Sequence, residues 1–232
     1  MKNKSILIIG TQRSGTNSLT LALNEEIRGG KMKGFYSTRE PWNYNSPHVR
    51  EKDTSTDWTK TPYNLDLIRT TDVVVKTQSF QKPEHFPGTS VEFMEKLAER
   101  FNKDRIIILC RKDYDKHIIS YTNLRYKVYI HGYWTGLAGK AWKFTDIPQE
   151  YLNNKEEQSI IHKYVTEQRE LIFNISDKLN IDISWHEDLY GNDREVSLDL
   201  IKSWNLGIDV DKVNQELHPK YKLDKTQNKS II

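Results

Sequence analysis

Four short apolar runs punctuate the chain, at residues 5–9, 72–76, 105–110 and 181–185. Each has the length of a buried strand and is rich in β-branched or apolar residues, as expected of parallel strands covered on both faces. Between them apolar positions recur with a helical period at 18–26, 90–102, 116–127 and 156–179. Strand and helix alternate, so the pattern predicts an α/β fold, a three-layer α/β/α sandwich around a parallel sheet. Two stretches, 29–71 and 128–154, are rich in Trp, Tyr, Gly and Pro and have no clear period. They read as irregular loops around a site. There is no internal repeat, and the tail from His218 onward is polar and lysine-rich.

Composition narrows this picture. A chain of 232 residues, 36% hydrophobic, suits one well-cored domain over residues 1–232. Lys plus Arg less Asp plus Glu is 35 − 32 = +3, with no long block of like charge, so no nucleic-acid partner is expected and any anion site must be local. The lone Cys110 excludes an internal disulfide, and the start MKNKS before a short apolar run does not read as a secretory signal. A cytoplasmic setting follows. No apolar stretch approaches the roughly 20 residues of a membrane span. The seven histidines show no metal-ligand spacing, so no metal is expected.

The first apolar run leads into IIGTQRSGTNSL, residues 8–19. A strand, a glycine-bounded loop and a helix start present backbone N–H groups to an anion. Gly10 and Gly15 have the spacing of the first half of GxxxxGK[ST], but Thr16 and Asn17 stand where the lysine and the magnesium-binding hydroxyl belong. ATP with magnesium is therefore disfavoured. The cation lies inside the loop at Arg13, whose guanidinium can fork onto the oxygens of a transferring group. The plainer alternative is a tight turn with Ser14 as the helix N-cap, which leaves Arg13 and Thr16 unexplained.

The stretch GTQRSGTNSL resembles the 5′-phosphosulfate loop of sulfotransferases that use 3′-phosphoadenosine 5′-phosphosulfate (PAPS), where RSGT or KSGT is found. The resemblance implies a P-loop-containing nucleotide-hydrolase-like fold, with PAPS as co-substrate and no metal. It implies that Arg13, Ser14, Gly15 and Thr16 grip the 5′-phosphosulfate, with Asn17 and Ser18 as further candidates. RIIILCRKDYDKHIIS resembles the family's 3′-phosphate segment, a strand, then Arg111, then a helix carrying Ser120, with Asp113 or Asp115 available as its cap. Many members separate Arg and Ser by eight, which would select Lys112; members with a doubled basic pair fit Arg111, the residue assigned. ISWHEDLYGN resembles the late strand-plus-Glu-Asp-Leu segment, with His186 in place of the usual tyrosine. Lys222, Lys225 and Gln227 resemble a late basic segment that closes over the 3′-phosphate end, although a solvated lysine tail fits them equally. Two separated cation pockets would then hold opposite ends of a doubly phosphorylated adenosine.

Sulfuryl transfer needs an in-line acceptor, positive charge on the oxygens and a base. Arg13 supplies charge, and Lys76, ending the strand DVVVK, is expected at the sheet's carboxyl edge to stabilise the leaving oxygen. VVVKTQ resembles a family segment that ends KTH in small-molecule members; Gln78 replaces that histidine base. The resemblance then points to Glu40 in STREPW, a carboxylate needing burial, for instance under Trp42, to act as a base; a surface pair with Arg39 or Arg28 is the alternative, and His85 the reserve base. Trp42, Tyr44, Trp58 and Tyr63, with Tyr126, Tyr129, Tyr133, Trp134 and Trp142, suit sugar faces or simply anchor loops. A carbohydrate hydroxyl is the leading acceptor. The rivals are a P-loop small-molecule kinase and a non-catalytic domain that binds a nucleotide or a sulfated glycan.

Overall fold

The structure is a computed structural model that describes residues 4–30, 36–39, 72–83, 86–131 and 147–218, with 36–39 and 127–131 described through their backbone. Its centre is a parallel sheet. Strands β1 (Ile6–Gly10), β2 (Tyr36–Arg39), β3 (Val73–Gln78), β4 (Ile106–Cys110) and β5 (Ile183–Trp185) lie in the order β2-β3-β1-β4-β5. Every residue of β1, β3 and β4 is buried. This is why β1, β4 and the first half of β3 read as apolar runs; Lys76, Thr77 and Gln78 are buried polar residues at the carboxyl end of β3.

Eight helices occur among the described residues: α1 (Thr16–Arg28), α2 (Ser90–Ala98), α3 (Tyr114–His131), α4 (Gln149–Leu152), α5 (Lys155–Leu179), α6 (His186–Tyr190), α7 (Arg194–Ser203) and α8 (Val210–Leu217). The side chains of the sheet alternate between two apolar clusters, as the period of two requires. Leu7, Ile9, Val73, Val75, Ile106 and Ile108 pack with Phe93, Met94 and Leu97 of α2 and Ile172 and Ile175 of α5. Ile6, Ile8, Val74, Ile107 and Leu109 pack with Leu19 and Leu23 of α1, Ile201 of α7 and Val213 of α8. Among the described residues no helix is long and apolar enough to cross a membrane.

Side-chain caps account for several boundaries. Thr89 and Glu92 form a reciprocal capping box at α2. Asp113 Oδ1 accepts the N–H of Lys116 at 3.0 Å, so α3 starts earlier than its apolar period suggests. Asn154 caps α5 and the left-handed Asn180 (φ 50°) ends it. Helix α2 stops at Ala98 and not at residue 102, because the chain turns through Phe101 and a short 3₁₀ segment, Lys103–Arg105, to enter β4.

Several expectations are corrected. The stretch 29–71 contains β2, an edge strand of four residues whose YSTR sequence has no apolar run. The stretch 128–154 holds the last turn of α3 and the short α4. The sequence reading also omitted α6, α7 and α8. The last two carry a usable signal, an aspartate N-cap before apolar residues three or four apart: Asp193 before α7 and Asp209 before α8.

Helix α1 is moored at its far end by a buried charge. The Glu26 side chain is fully buried; Lys212 Nζ lies 3.0 Å from its Oε1, and the Asp209 N–H donates to its Oε2 at 3.3 Å. Lys212 also donates to the Glu25 carbonyl at 2.9 Å.

Replacing Ile8, fully buried on the central strand, with Ala is expected to lower the unfolding free energy by about 2–5 kcal/mol, from lost transfer energy plus the cavity. Urea denaturation checks this; a loss below about 0.5 kcal/mol would contradict the placement of Ile8 in the core.

Candidate functional site

The loop after β1 occupies the carboxyl edge where the strand order reverses. The chain leaves β1 for β2 and β3 on one side and later crosses to β4 on the other, and crevices at such switch points hold ligands in open α/β sheets. Here the loop turns through two left-handed residues, Arg13 (φ 66°) and Gly15 (φ 90°). Gly15, and not Ser14, is the N-cap of α1. A Cβ on Gly15 would collide with the Tyr190 ring, and one on Gly10 would collide with Thr16 Cγ2. Both glycines are therefore required by close approach, Gly15 by its φ as well.

Five consecutive carbonyls of this loop are tied by side chains. Ser14 Oγ donates to Thr11 O at 2.7 Å. His117 Nε2 meets Gln12 O at 2.7 Å and Arg111 Nε donates to Arg13 O at 2.8 Å. His186 Nδ1 meets Ser14 O at 3.0 Å, and Tyr190 Oη donates to Gly15 O at 2.6 Å. Since a carbonyl only accepts, both ring nitrogens carry the proton. A trans peptide sets its C=O and N–H on opposite sides. Tying the carbonyls of Gln12, Ser14 and Gly15 thus turns the N–H groups of Arg13, Gly15 and Thr16 the other way, and none of these three has an acceptor among the described residues. Such N–H groups at a helix start form an anion cradle.

Cations converge on the cradle. Arg13 Nε donates to Ser120 Oγ at 3.1 Å while Arg111 holds the Arg13 carbonyl. The residues expected at the two ends of the ligand are linked to one another, Arg13 through Ser120 and Arg111 through the Arg13 carbonyl. Partial desolvation, then the Arg111 charge, lowers the pKa of Arg13; desolvation lowers that of Arg111, opposed by Glu187 and Asp113. An anion would offset both costs. Glu187 Oε2 accepts the Lys112 N–H at 2.7 Å, and its other oxygen lies 3.9 Å from Arg111. Lys112 itself is exposed. Arg169 donates to the Arg111 and Lys112 carbonyls and stacks on Tyr114, with its Cζ 5.6 Å from the ring centre.

Lys76 does not end its strand. β3 runs on to Gln78, and Lys76, 1% exposed, pairs in register with Ile8. Its ammonium reaches the α1 face of the sheet and donates to Asn17 Oδ1 in the first turn of that helix. Thr16 is buried, whereas Asn17 and Ser18 are exposed. The Gln78 N–H and the Thr77 hydroxyl both donate to Gln81 Oε1, at 2.9 and 3.3 Å.

The structure thus brings together Arg13, Ser14, Gly15, Thr16, Asn17, Lys76, Arg111 and Ser120. Glu40, His85, Lys225 with Lys222 and Gln227, and the aromatic residues Trp42, Tyr44, Trp58, Tyr63, Tyr133, Trp134 and Trp142 lie outside the described residues, as does the side chain of Tyr129. Tyr126 is buried against Tyr151, with ring centres 4.9 Å apart, which is the loop-anchoring role. Sequence reasoning missed His117, Gln168, Arg169, Glu187 and Tyr190, and gave His186 no role at the loop. Gln168 Oε1 accepts the Gln12 N–H at 2.8 Å. Only the HEDLY segment carried a signal, and that signal did not say which backbone atoms it would meet. Comparison with family models, curated proteins and solved structures finds no match to this chain.

Burial lowers the pKa of both loop histidines from 6.5 to about 4, with the Arg111 charge a further cause at each. The unfolded chain therefore binds protons between pH 6.5 and 4 that the folded chain does not, and stability falls as pH drops through that window. The expected slope is at most about 1.4 kcal/mol per pH unit for each histidine. Urea denaturation from pH 7 to 4.5 checks this: His117→Gln should be less stable at pH 7 but lose less on acidification. An unaltered pH slope would exclude His117 as a source.

Proposed function

We propose that the chain is a PAPS-dependent sulfotransferase built on a three-layer α/β/α sandwich of the P-loop class. The observation that carries this reading is an anion cradle whose cations, Arg13, Arg111 and Lys76, all come from outside the Walker lysine position, while Asn17, at the position of the magnesium-binding hydroxyl, accepts a hydrogen bond from Lys76. That position therefore holds a lysine ammonium where a kinase needs a metal.

In this reading the N–H groups of Arg13, Gly15 and Thr16, with the Arg13 guanidinium, hold the 5′-phosphosulfate, and Ser14, Asn17 and Ser18 complete the loop. Arg111 and Ser120 hold the 3′-phosphate, with Lys225 as a further contact. Lys76 stabilises the bridging oxygen as it leaves. The acceptor oxygen bonds to sulfur, the sulfur–bridging oxygen bond breaks, 3′-phosphoadenosine 5′-phosphate departs, and the acceptor proton passes to a carboxylate base. Glu40 is the proposed base and His85 the reserve. Strand β2 brings the chain to the carboxyl edge at Arg39, in register with Lys76, one residue before Glu40. The proposed acceptor is a carbohydrate hydroxyl.

Saturating 3′-phosphoadenosine 5′-phosphate, at 100 times its dissociation constant, is expected to stabilise the fold by about 2.7 kcal/mol. Thermal shift measures this, and a shift with ATP plus magnesium but none with this nucleotide would overturn the proposal. Lys76→Met should retain nucleotide binding and lose transfer by at least about tenfold, for the removal of a charge-assisted contact of about 1.5–3 kcal/mol. Release of 3′-phosphoadenosine 5′-phosphate from PAPS, assayed with a panel of glycan acceptors, reads that rate.

A further inference from the structure

Tyr190 sits in an unusual relation to the loop. It ends the short helix α6, 175 residues beyond Gly15 in sequence, yet its hydroxyl donates to the Gly15 carbonyl at 2.6 Å. Its ring occupies the space a side chain at position 15 would fill, with Cζ 2.8 Å from the ideal Cβ position. The missing Cβ of Gly15 is thus matched to one aromatic side chain, and its left-handed φ of 90° favours glycine there independently. The rest of the ring packs at the edge of the α1-side core. Phenylalanine would satisfy that packing equally well, so packing leaves the hydroxyl unexplained.

The carbonyl it holds belongs to the peptide whose N–H is that of Thr16, the residue opening α1. The Gly15 oxygen also accepts the Leu19 N–H of α1 at 3.1 Å, so Tyr190 is its second and shorter donor; fixing this oxygen on the protein side aims the Thr16 N–H at the opposite, anion side. His186, one turn earlier on the same helix and with its ring centre 4.6 Å from that of Tyr190, does the same through Ser14 O for the Gly15 N–H. Burial holds the phenol above its ordinary pKa, so it remains a donor at neutral pH.

We infer that Tyr190 is a positioning residue for anion binding: its ring seats on Gly15 and its hydroxyl holds the Gly15 carbonyl, orienting the Thr16 N–H toward a phosphate or phosphosulfate oxygen. This deepens the proposed function by assigning a residue to the same loop. The underlying claim concerns any tetrahedral oxyanion, so pyrophosphate serves as the probe of the loop and 3′-phosphoadenosine 5′-phosphate as the probe of the proposed function.

Isothermal titration of the full chain with pyrophosphate compares wild type with Tyr190→Phe. The variant keeps the ring and is expected to bind about tenfold more weakly, the upper range for one net hydrogen bond, while its melting temperature changes by no more than about 4 °C. Unchanged affinity would overturn the inference, and so would a larger fall in melting temperature without the loss of affinity. An independent measurement in wild type is the amide NMR spectrum, where pyrophosphate should shift the Gly15 and Thr16 resonances; no shift at either overturns the inference without recourse to a variant. Wild type that binds pyrophosphate but not 3′-phosphoadenosine 5′-phosphate would overturn the sulfotransferase reading alone, whereas wild type that binds neither overturns both.

Discussion

The fold around the candidate site depends on keeping the carbonyls of residues 11–15 turned inward. A five-residue loop has peptide dipoles that could point anywhere, and one side chain of its own together with four donors from elsewhere in the chain makes them agree. Ser14, His117, Arg111, His186 and Tyr190 are those donors. Each contributes about 0.5–1.5 kcal/mol net, so together they are comparable with a good part of a domain's total stability. The loop is therefore part of the folded core's accounting and not an appendage to it.

Four of those donors come from segments that follow β4 and β5. His117 lies on α3, Arg111 follows β4, and His186 and Tyr190 lie on α6 after β5. Glu187 extends the same helix to the loop after β4 through the Lys112 N–H. Helix α6, only five residues long, thus touches both loops of the switch point. Its place is held in turn by a buried network below it: the Ser197 hydroxyl donates to Leu189 O at 3.0 Å, and His218 Nε2 meets the same carbonyl at 3.0 Å. Mooring α1 through Glu26 and Lys212 fixes the other end of the helix that the loop begins.

Charge follows the same plan. A chain with a net charge of only +3 gathers Arg13, Arg111, Arg169 and Lys76 around one loop and keeps two histidines neutral beside them. Gathering like charges at a partly desolvated place costs free energy, which an anion held there would offset. The cost is moderated by Glu187 at Arg111 and by the Tyr114 and Phe173 rings beneath Arg169.

Local sequence determined much of this. The four apolar runs, the glycine pair at 10 and 15, and the helical periods of α1, α2, α3 and α5 are properties of neighbouring residues, set by burial on both faces of a strand and by the 3.6-residue repeat. They place strands β1, β3, β4 and β5 to within one or two residues and put Arg13 in the loop after β1, whereas Arg111 and, on α3, Ser120 are picked out by the family resemblance and not by periodicity. Strand β2 escaped because a short edge strand needs no apolar run, only the exposed edge of β3. The tertiary structure alone decided which donors the loop carbonyls would meet, since His117 and Gln12 are 105 residues apart and Tyr190 and Gly15 are 175 apart. No local periodicity can encode such a pairing; it exists only once the sheet order has brought the ends of β1, β4 and β5 to one edge.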